Sequence, residues 1–271
     1  MHELPELDNY RALLAEQFAG ALITGVEITN VKAFQASEEE IQRDVVGKVL
    51  WFVERRGLHL LLHLDNGKRL LLRLGQGAYL YKGSEEDRPD RAAQVKLHFG
   101  EIVLYCVGLK SDDLQLLKVL EVEEKLGRFG YDALDKRLTI DRFIAAFAKK
   151  RSSIKTALMD QNVISGIGTV YSDEICYAAG LRPDAKIPVF ERATWERLYE
   201  AMHKILKEAI SHGGAGEQPF AAGDALTGGQ RNLFQVYDRE GQACPQCGGL
   251  IEKIEVSGRK AFVCSDCQKD Q

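Results

Sequence analysis

The chain has 271 residues, with 36 Lys and Arg against 40 Asp and Glu, a net charge of −4 and a hydrophobic share of 45%. That length favours two domains, or one large one, with ample core in either case, and the composition is that of an ordinary globular protein, which excludes a disordered chain. No run approaches the ~18 apolar residues of a membrane span, and Met1–Glu6 lacks the basic and apolar regions of a signal peptide. The expectation is a cytoplasmic protein with no membrane partner.

In chain order, Leu7–Phe18 reads as an opening helix with apolar residues at Leu7, Leu14 and Phe18. The segments Val45–Arg55, Leu58–Leu64, Arg69–Leu74, Tyr79–Tyr81 and Val95–Val107 read as strands, with hairpin turns at Asp65-Asn66-Gly67 and Phe99-Gly100-Glu101. Several short strands with close turns predict a sandwich or barrel. From about Leu114 the period becomes helical, beginning with Leu116, Leu117, Leu120 and Leu126. Ile140–Lys150 places Phe143, Ile144 and Phe147 on one face, and Ser152 or Ser153 caps a helix over Ile154–Gln161. A glycine-bearing turn, Asn162–Gly168, leads into a helix from Thr169 to about Ala179, which Gly180 stops. Glu191–Ser211 is long and amphipathic, and the glycine-rich Gly213–Gln230 predicts a mobile loop.

An acidic protein is not a generic nucleic-acid coat, although a local basic footprint is compatible with it. Arg142–Met159 contains Arg142, Lys149, Lys150, Arg151 and Lys155 and no acidic residue. The plain reading of such a run is a solvated helix face. The cysteines carry more. Cys106 and Cys176 read as small core residues. Cys244-x2-Cys247 and Cys264-x2-Cys267 flank sixteen residues, within the spacing of a four-thiolate zinc site. Leu250–Val256 and Lys260–Val263 read as strands joined at Ser257-Gly258, a hairpin that brings the pairs together. Four closed ligands predict one structural Zn2+, with no open position for catalysis.

Together these features resemble the formamidopyrimidine-DNA glycosylase / endonuclease VIII family over essentially the whole chain. The stretches that carry the resemblance are Glu3-Leu4-Pro5-Glu6, Glu54–Gly57, Ile154–Gln161, Gly166–Glu174, Val236-Tyr237 and the cysteine hairpin. The resemblance implies an α+β fold in three segments. These are an N-terminal β-sandwich over 1–113, a helical domain with a helix-two-turn-helix over 114–230, and a zinc-finger hairpin over 231–271. It implies double-stranded DNA, damaged or abasic, as the partner of a nucleoid-associated monomer. Lys155, Gly166, Gly168, Thr169 and Arg259 fall at DNA-contacting positions, and Glu3 and Glu6 at acid/base positions. The helix N-terminus and nearby basic groups would then meet phosphate while the remaining surface stays acidic.

The chain also departs from the family. The mature N-terminal proline, whose amine attacks the sugar, falls at His2, and an imidazole makes no stable iminium. Methionine removal before bulky histidine is not expected, which leaves the Met1 amine one residue further out. A familial lysine falls at Leu58, an asparagine at Thr169, an inserted methionine near Gln76, and the Arg-Arg-Phe wedge in Gly108–Leu116, where no such motif stands. The expectation is a damaged-DNA binder with weak or absent glycosylase and lyase activity. One alternative is an active enzyme using Met1 or a lysine; another is a zinc-dependent protein-interaction module. Retained phosphate-contact positions argue against the module.

Overall fold

The computed structural model describes residues 2–270. The chain divides into two compact units: residues up to Arg128 together with His212–Gly229, and Phe129–Ser211 together with the residues from Gln230 on.

In the first unit, helix α1 (Leu4–Phe18) starts earlier than its apolar spacing predicts. Pro5 sits in its first turn, and the Glu6 carboxylate accepts from the Glu3 backbone N–H at 2.8 Å, so local chemistry rather than the apolar stripe sets the start. Strands β1 (Gly25–Ile28) and β2 (Phe34–Gln35) precede α2 (Glu38–Asp44), where Ser37 and Glu40 form a reciprocal cap. There follow β3 (Leu50–Arg56), β4 (His59–Leu64), β5 (Arg69–Leu72), β6 (Tyr79–Gly83), β7 (Ala93–Phe99), β8 (Ile102–Val107), β9 (Leu114–Leu117) and helix α3 (Val119–Leu126).

Two sheets form, with orders β1-β7-β8-β6 and β2-β9-β5-β4-β3. Leu60, Leu62, Leu64, Leu70 and Leu72 of one sheet and Leu80, Val95, Leu97, Leu104 and Cys106 of the other share a single apolar core. This is a sandwich, joined by Leu7, Tyr10, Leu14 and Phe18 of α1. Leu114–Leu117, expected to open the helical half, is instead a strand paired antiparallel with β5 and parallel with β2. Ladder partners supplied by residues far away in the chain override the leucine spacing. The expected boundary at residue 113 therefore falls inside the first unit. The glycine-rich segment expected to be mobile is pinned there too. Phe220 is buried in the sandwich core, and the Asp224 carboxylate accepts from the backbone N–H groups of Phe220, Leu226 and Thr227.

The second unit holds a short parallel pair, β10 (Tyr131–Asp132) with β11 (Ile164–Ser165), and helices α4 (Ile140–Phe147), α5 (Ile154–Leu158), α6 (Thr169–Ala178) and α7 (Arg192–Ser211). Phe143, Phe147 and Trp195 form an aromatic cluster between α4 and α7. The antiparallel hairpin of β12 (Glu252–Val256) and β13 (Arg259–Val263) closes the unit, and β13 packs against α6. No described helix is long and apolar enough to cross a membrane.

Candidate metal centre and nucleic-acid interface

At the hairpin tip, Val256 pairs with Arg259, leaving Ser257 (φ 51°) and Gly258 (φ 76°) as a two-residue turn with both φ positive. That geometry matches the strand twist, and glycine adopts it without steric cost. At the hairpin base the sulfurs of Cys244, Cys247, Cys264 and Cys267 all lie within 4.8 Å of one another. Cys244 Sγ is 3.8 Å from Cys267 Sγ, and Cys247 Sγ is 3.5 Å from Cys264 Sγ. Tetrahedral zinc with Zn–S of about 2.3 Å requires S···S of about 3.8 Å, so the four free thiols fit the ion. Beneath them Tyr177, Val236, Ile251 and Phe262 form a small apolar core.

The turn between α5 and α6 is built around Gln161. Its side-chain amide donates to the carbonyls of Met159 (3.0 Å) and Ile167 (2.8 Å), and its oxygen accepts from the Gly166 N–H at 2.8 Å. Gly166 has φ 104°, where a side chain would be strained, and Gly168 is the extended N-cap before Thr169 opens α6. Arg259 is exposed at the hairpin tip, 3.8 Å from Met159 Sδ at the end of α5, and Thr156 donates to the Ser257 hydroxyl.

Lys155 is placed differently from the expected phosphate ligand. It is 1% exposed, and its ammonium donates to Asp173 Oδ1 (2.6 Å), the Thr169 carbonyl (3.0 Å) and the Ser172 hydroxyl (3.2 Å). Burial pushes the Asp173 carboxyl up to about 6, against the opposing pull of Lys155, and its other oxygen accepts from the Phe262 N–H of β13. Glu174, likewise raised by burial, accepts from the N–H groups of Gln235, Val236 and Tyr237. The basic run is correspondingly thinner than its composition. Lys150 pairs with Asp160 at 2.7 Å and Arg142 donates to the Arg137 carbonyl, while Lys149 and Arg151 stay exposed and unpaired among the described residues.

In the first unit, His2 is 9% exposed. Its Nε2 lies 2.5 Å from the Ala78 carbonyl oxygen and its ring stands edge-on to Tyr10, with centroids 5.5 Å apart. Burial lowers its pKa, so the ring is neutral and Nε2 donates that bond. Glu3 is buried as the N-cap of α1. The second oxygen of Glu6 accepts from the Ala215 N–H at 2.7 Å, so this carboxylate clips loop His212–Gly229 to the start of α1. Gln76 is exposed in the turn before Ala78, and half-buried Leu58 lies in the β3–β4 turn. In Gly108–Leu116, Asp113 is 1% exposed and accepts from Arg73 and from the Lys110 N–H. The Met1 amine lies outside the described residues.

Comparison with known proteins gives three family matches: the formamidopyrimidine-DNA glycosylase N-terminal domain over residues 1–110, its helix-two-turn-helix domain over 129–220, and the zinc finger found in that glycosylase and in IleRS over 241–269. A formamidopyrimidine-DNA glycosylase of Pelotomaculum thermopropionicum is 30% identical over 280 residues, covering 99% of both chains. The chain belongs to the formamidopyrimidine-DNA glycosylase family. The Listeria innocua enzyme of that name is also 30% identical, over 278 residues. Two Lactococcus lactis structures of the family share the fold, each covering 98% of this chain and 99% of the other. One is a complex with DNA containing an abasic site (TM-score 0.89, 23% identity), the other a mutant with Fapy-dG DNA (0.88, 24%).

The glycosylase-family zinc finger and the sulfur geometry together make Cys244, Cys247, Cys264 and Cys267 one structural zinc site. Gln161, Asp173, Glu174 and Tyr177 organise this face of the glycosylase fold, and sequence reasoning assigned none of them a role. The one available signal was acidic Asp173-Glu174 within a helix that has no other charged residue, since buried carboxylates require partners.

Proposed function

We propose that this chain is a DNA-repair-type protein that binds damaged or abasic duplex DNA as a monomer, with the familial base-removal and strand-cleaving chemistry weak or absent. One observation carries the reading. The position of the nucleophilic proline holds His2, whose imidazole is buried and committed to the Ala78 carbonyl. Attack on the sugar C1′ needs a free amine that becomes an iminium, and a neutral, hydrogen-bonded imidazole supplies none. Glu3 and Glu6 keep carboxyls nearby, but Glu6 spends both oxygens on backbone N–H groups.

The binding half of the proposal rests on the second unit. Half-buried Thr169 in the first turn of α6 offers its hydroxyl to phosphate at the positive end of that helix, and exposed Arg259 can grip a second phosphate with its planar fork. Lys149 and Arg151 add long-range attraction. Lys155 acts behind this surface as a positioning residue, because its ammonium fixes the Thr169 carbonyl and therefore the start of α6. Zinc, when bound, supplies only the hairpin's rigidity.

The test is borohydride trapping on an abasic duplex, alongside anisotropy binding to the same duplex and to its undamaged counterpart. The proposal expects preferential, salt-sensitive binding to the abasic duplex and little trapped imine. Robust trapping would overturn the inactive reading, and peptide mass spectrometry would then place the amine at Met1 or at a lysine. Equal, negligible binding to both duplexes would overturn the DNA-binding reading.

A further inference from the structure

The zinc site has a contact from outside its own hairpin. Tyr177, on α6, places its hydroxyl 3.2 Å from Cys244 Sγ, across 67 residues of chain. Both groups are buried, at 8% and 3% exposure, and the tyrosine ring lies in the small core formed with Val236, Ile251 and Phe262. Cys244 Sγ is the one partner of this hydroxyl among the described residues. A zinc-bound cysteine has lost its proton, so the sulfur only accepts and the hydroxyl must donate.

We propose that Tyr177 is an outer-shell positioning residue of the zinc centre, whose hydroxyl orients the Cys244 thiolate and restrains its reactivity. A donated hydrogen bond draws negative charge from the sulfur, making it a poorer nucleophile toward electrophiles, and it fixes the direction of the lone pair facing the metal. Packing alone does not require the hydroxyl, since phenylalanine would fill the same space. Cys247 provides an internal contrast: it is exposed, and its sulfur accepts from the Gly249 N–H at 3.4 Å. The proposal depends on the cysteine geometry alone and is independent of whether the protein binds DNA.

The test compares the full-length, zinc-loaded protein with its Tyr177→Phe variant, which keeps the ring and removes only the oxygen. Competition with a chromogenic chelator reads zinc affinity. Limited iodoacetamide treatment, which forms an S–C bond as iodide leaves, followed by peptide mass spectrometry reads the Cys244:Cys247 labelling ratio. Outer-shell partners of metal ligands are worth 10–100-fold in affinity, so the variant should bind zinc roughly tenfold more weakly. Its Cys244 should also label severalfold faster relative to Cys247. An unchanged affinity, or an unchanged labelling ratio, would overturn the proposal.

Discussion

Lys155 and Arg259 are both basic residues that the family resemblance led us to expect at DNA, yet their surroundings assign them different work. Arg259 is exposed at the hairpin tip, so Arg259→Ala should weaken DNA binding and reduce the salt slope by about one unit, measured by anisotropy from low to moderate salt. Lys155 is internal, and Lys155→Met would strand Asp173 as a buried, unpaired carboxylate. Breaking such a pair costs about 3–5 kcal/mol, so this variant should lose stability in urea melts while the salt slope of its folded fraction stays unchanged. The pH dependence follows from Asp173, whose folded value of about 6 lies above the ordinary carboxyl value of 3.8. The folded state then holds a proton that the unfolded state releases, so this group's contribution falls as pH rises from about 4 through 6. Without Lys155 the carboxyl moves higher still. With saturating zinc, the deficit of Lys155→Met should be larger at about pH 7.5 than at about pH 5.5; equal deficits would mean that Asp173 is not the charge stranded. His2 has the opposite sign. Burial lowers its pKa from 6.5, so its contribution is complete above about pH 6.5 and is lost as pH falls toward the lowered folded value. His2→Gln should flatten that acid-side loss in urea melts.

Helix α6 is the element that organises the second unit. From one stretch it sends Asp173 to β13, Glu174 to the segment entering the hairpin and Tyr177 to a zinc ligand. Helical spacing makes this possible: residues 173 and 177 are one turn apart on a shared face, while 174 lies 100° around and meets the incoming chain. Glu174 is the most exacting of the three contacts. A carboxylate accepts the three N–H groups of Gln235, Val236 and Tyr237, whereas a glutamine would present two donors of its own to them. Glu174→Gln should cost about 1.5–3 kcal/mol in the unfolding of the second unit, the worth of hydrogen bonds to a charged group. A change below about 0.5 kcal/mol would show that the amide finds other acceptors and that this carboxylate is not the hinge pin of the hairpin.

At the scale of the molecule, two compact units carry separate cores, one a leucine-rich sandwich and the other an aromatic helical cluster tied to a metal-dependent hairpin. Zinc binding free energy in small four-ligand sites is on the order of 10–16 kcal/mol and is coupled to folding. Chelation should therefore remove hydrogen-exchange protection from β12 and β13 while leaving β4 and β5, inside the leucine core, protected. Calorimetry should show the same division, with the chelator lowering one transition and sparing the other. Loss of protection in β4 and β5 on chelation would mean that the units do not unfold separately.

Some of this was legible without coordinates, where the signal was local. The hairpin turn at Ser257-Gly258, each Cys-x2-Cys pair, the Ser153 cap of α5 and the start of α6 after Gly168 all depend on residues within a few positions of one another. Family motifs at both ends of the chain extended that reading to the fold and the zinc. The tertiary structure decided whatever depends on distant partners. Leu114–Leu117 became a strand because β5 and β2 offered hydrogen bonds to it, and the glycine-rich segment was fixed because Glu6 and the sandwich core held it. A lysine in a basic run looks like a surface charge until Asp173, eighteen residues later, is seen to be buried beside it. Sequence spacing determines which groups can share a helix face or a turn; burial and pairing across the chain determine which charges remain free to meet a ligand.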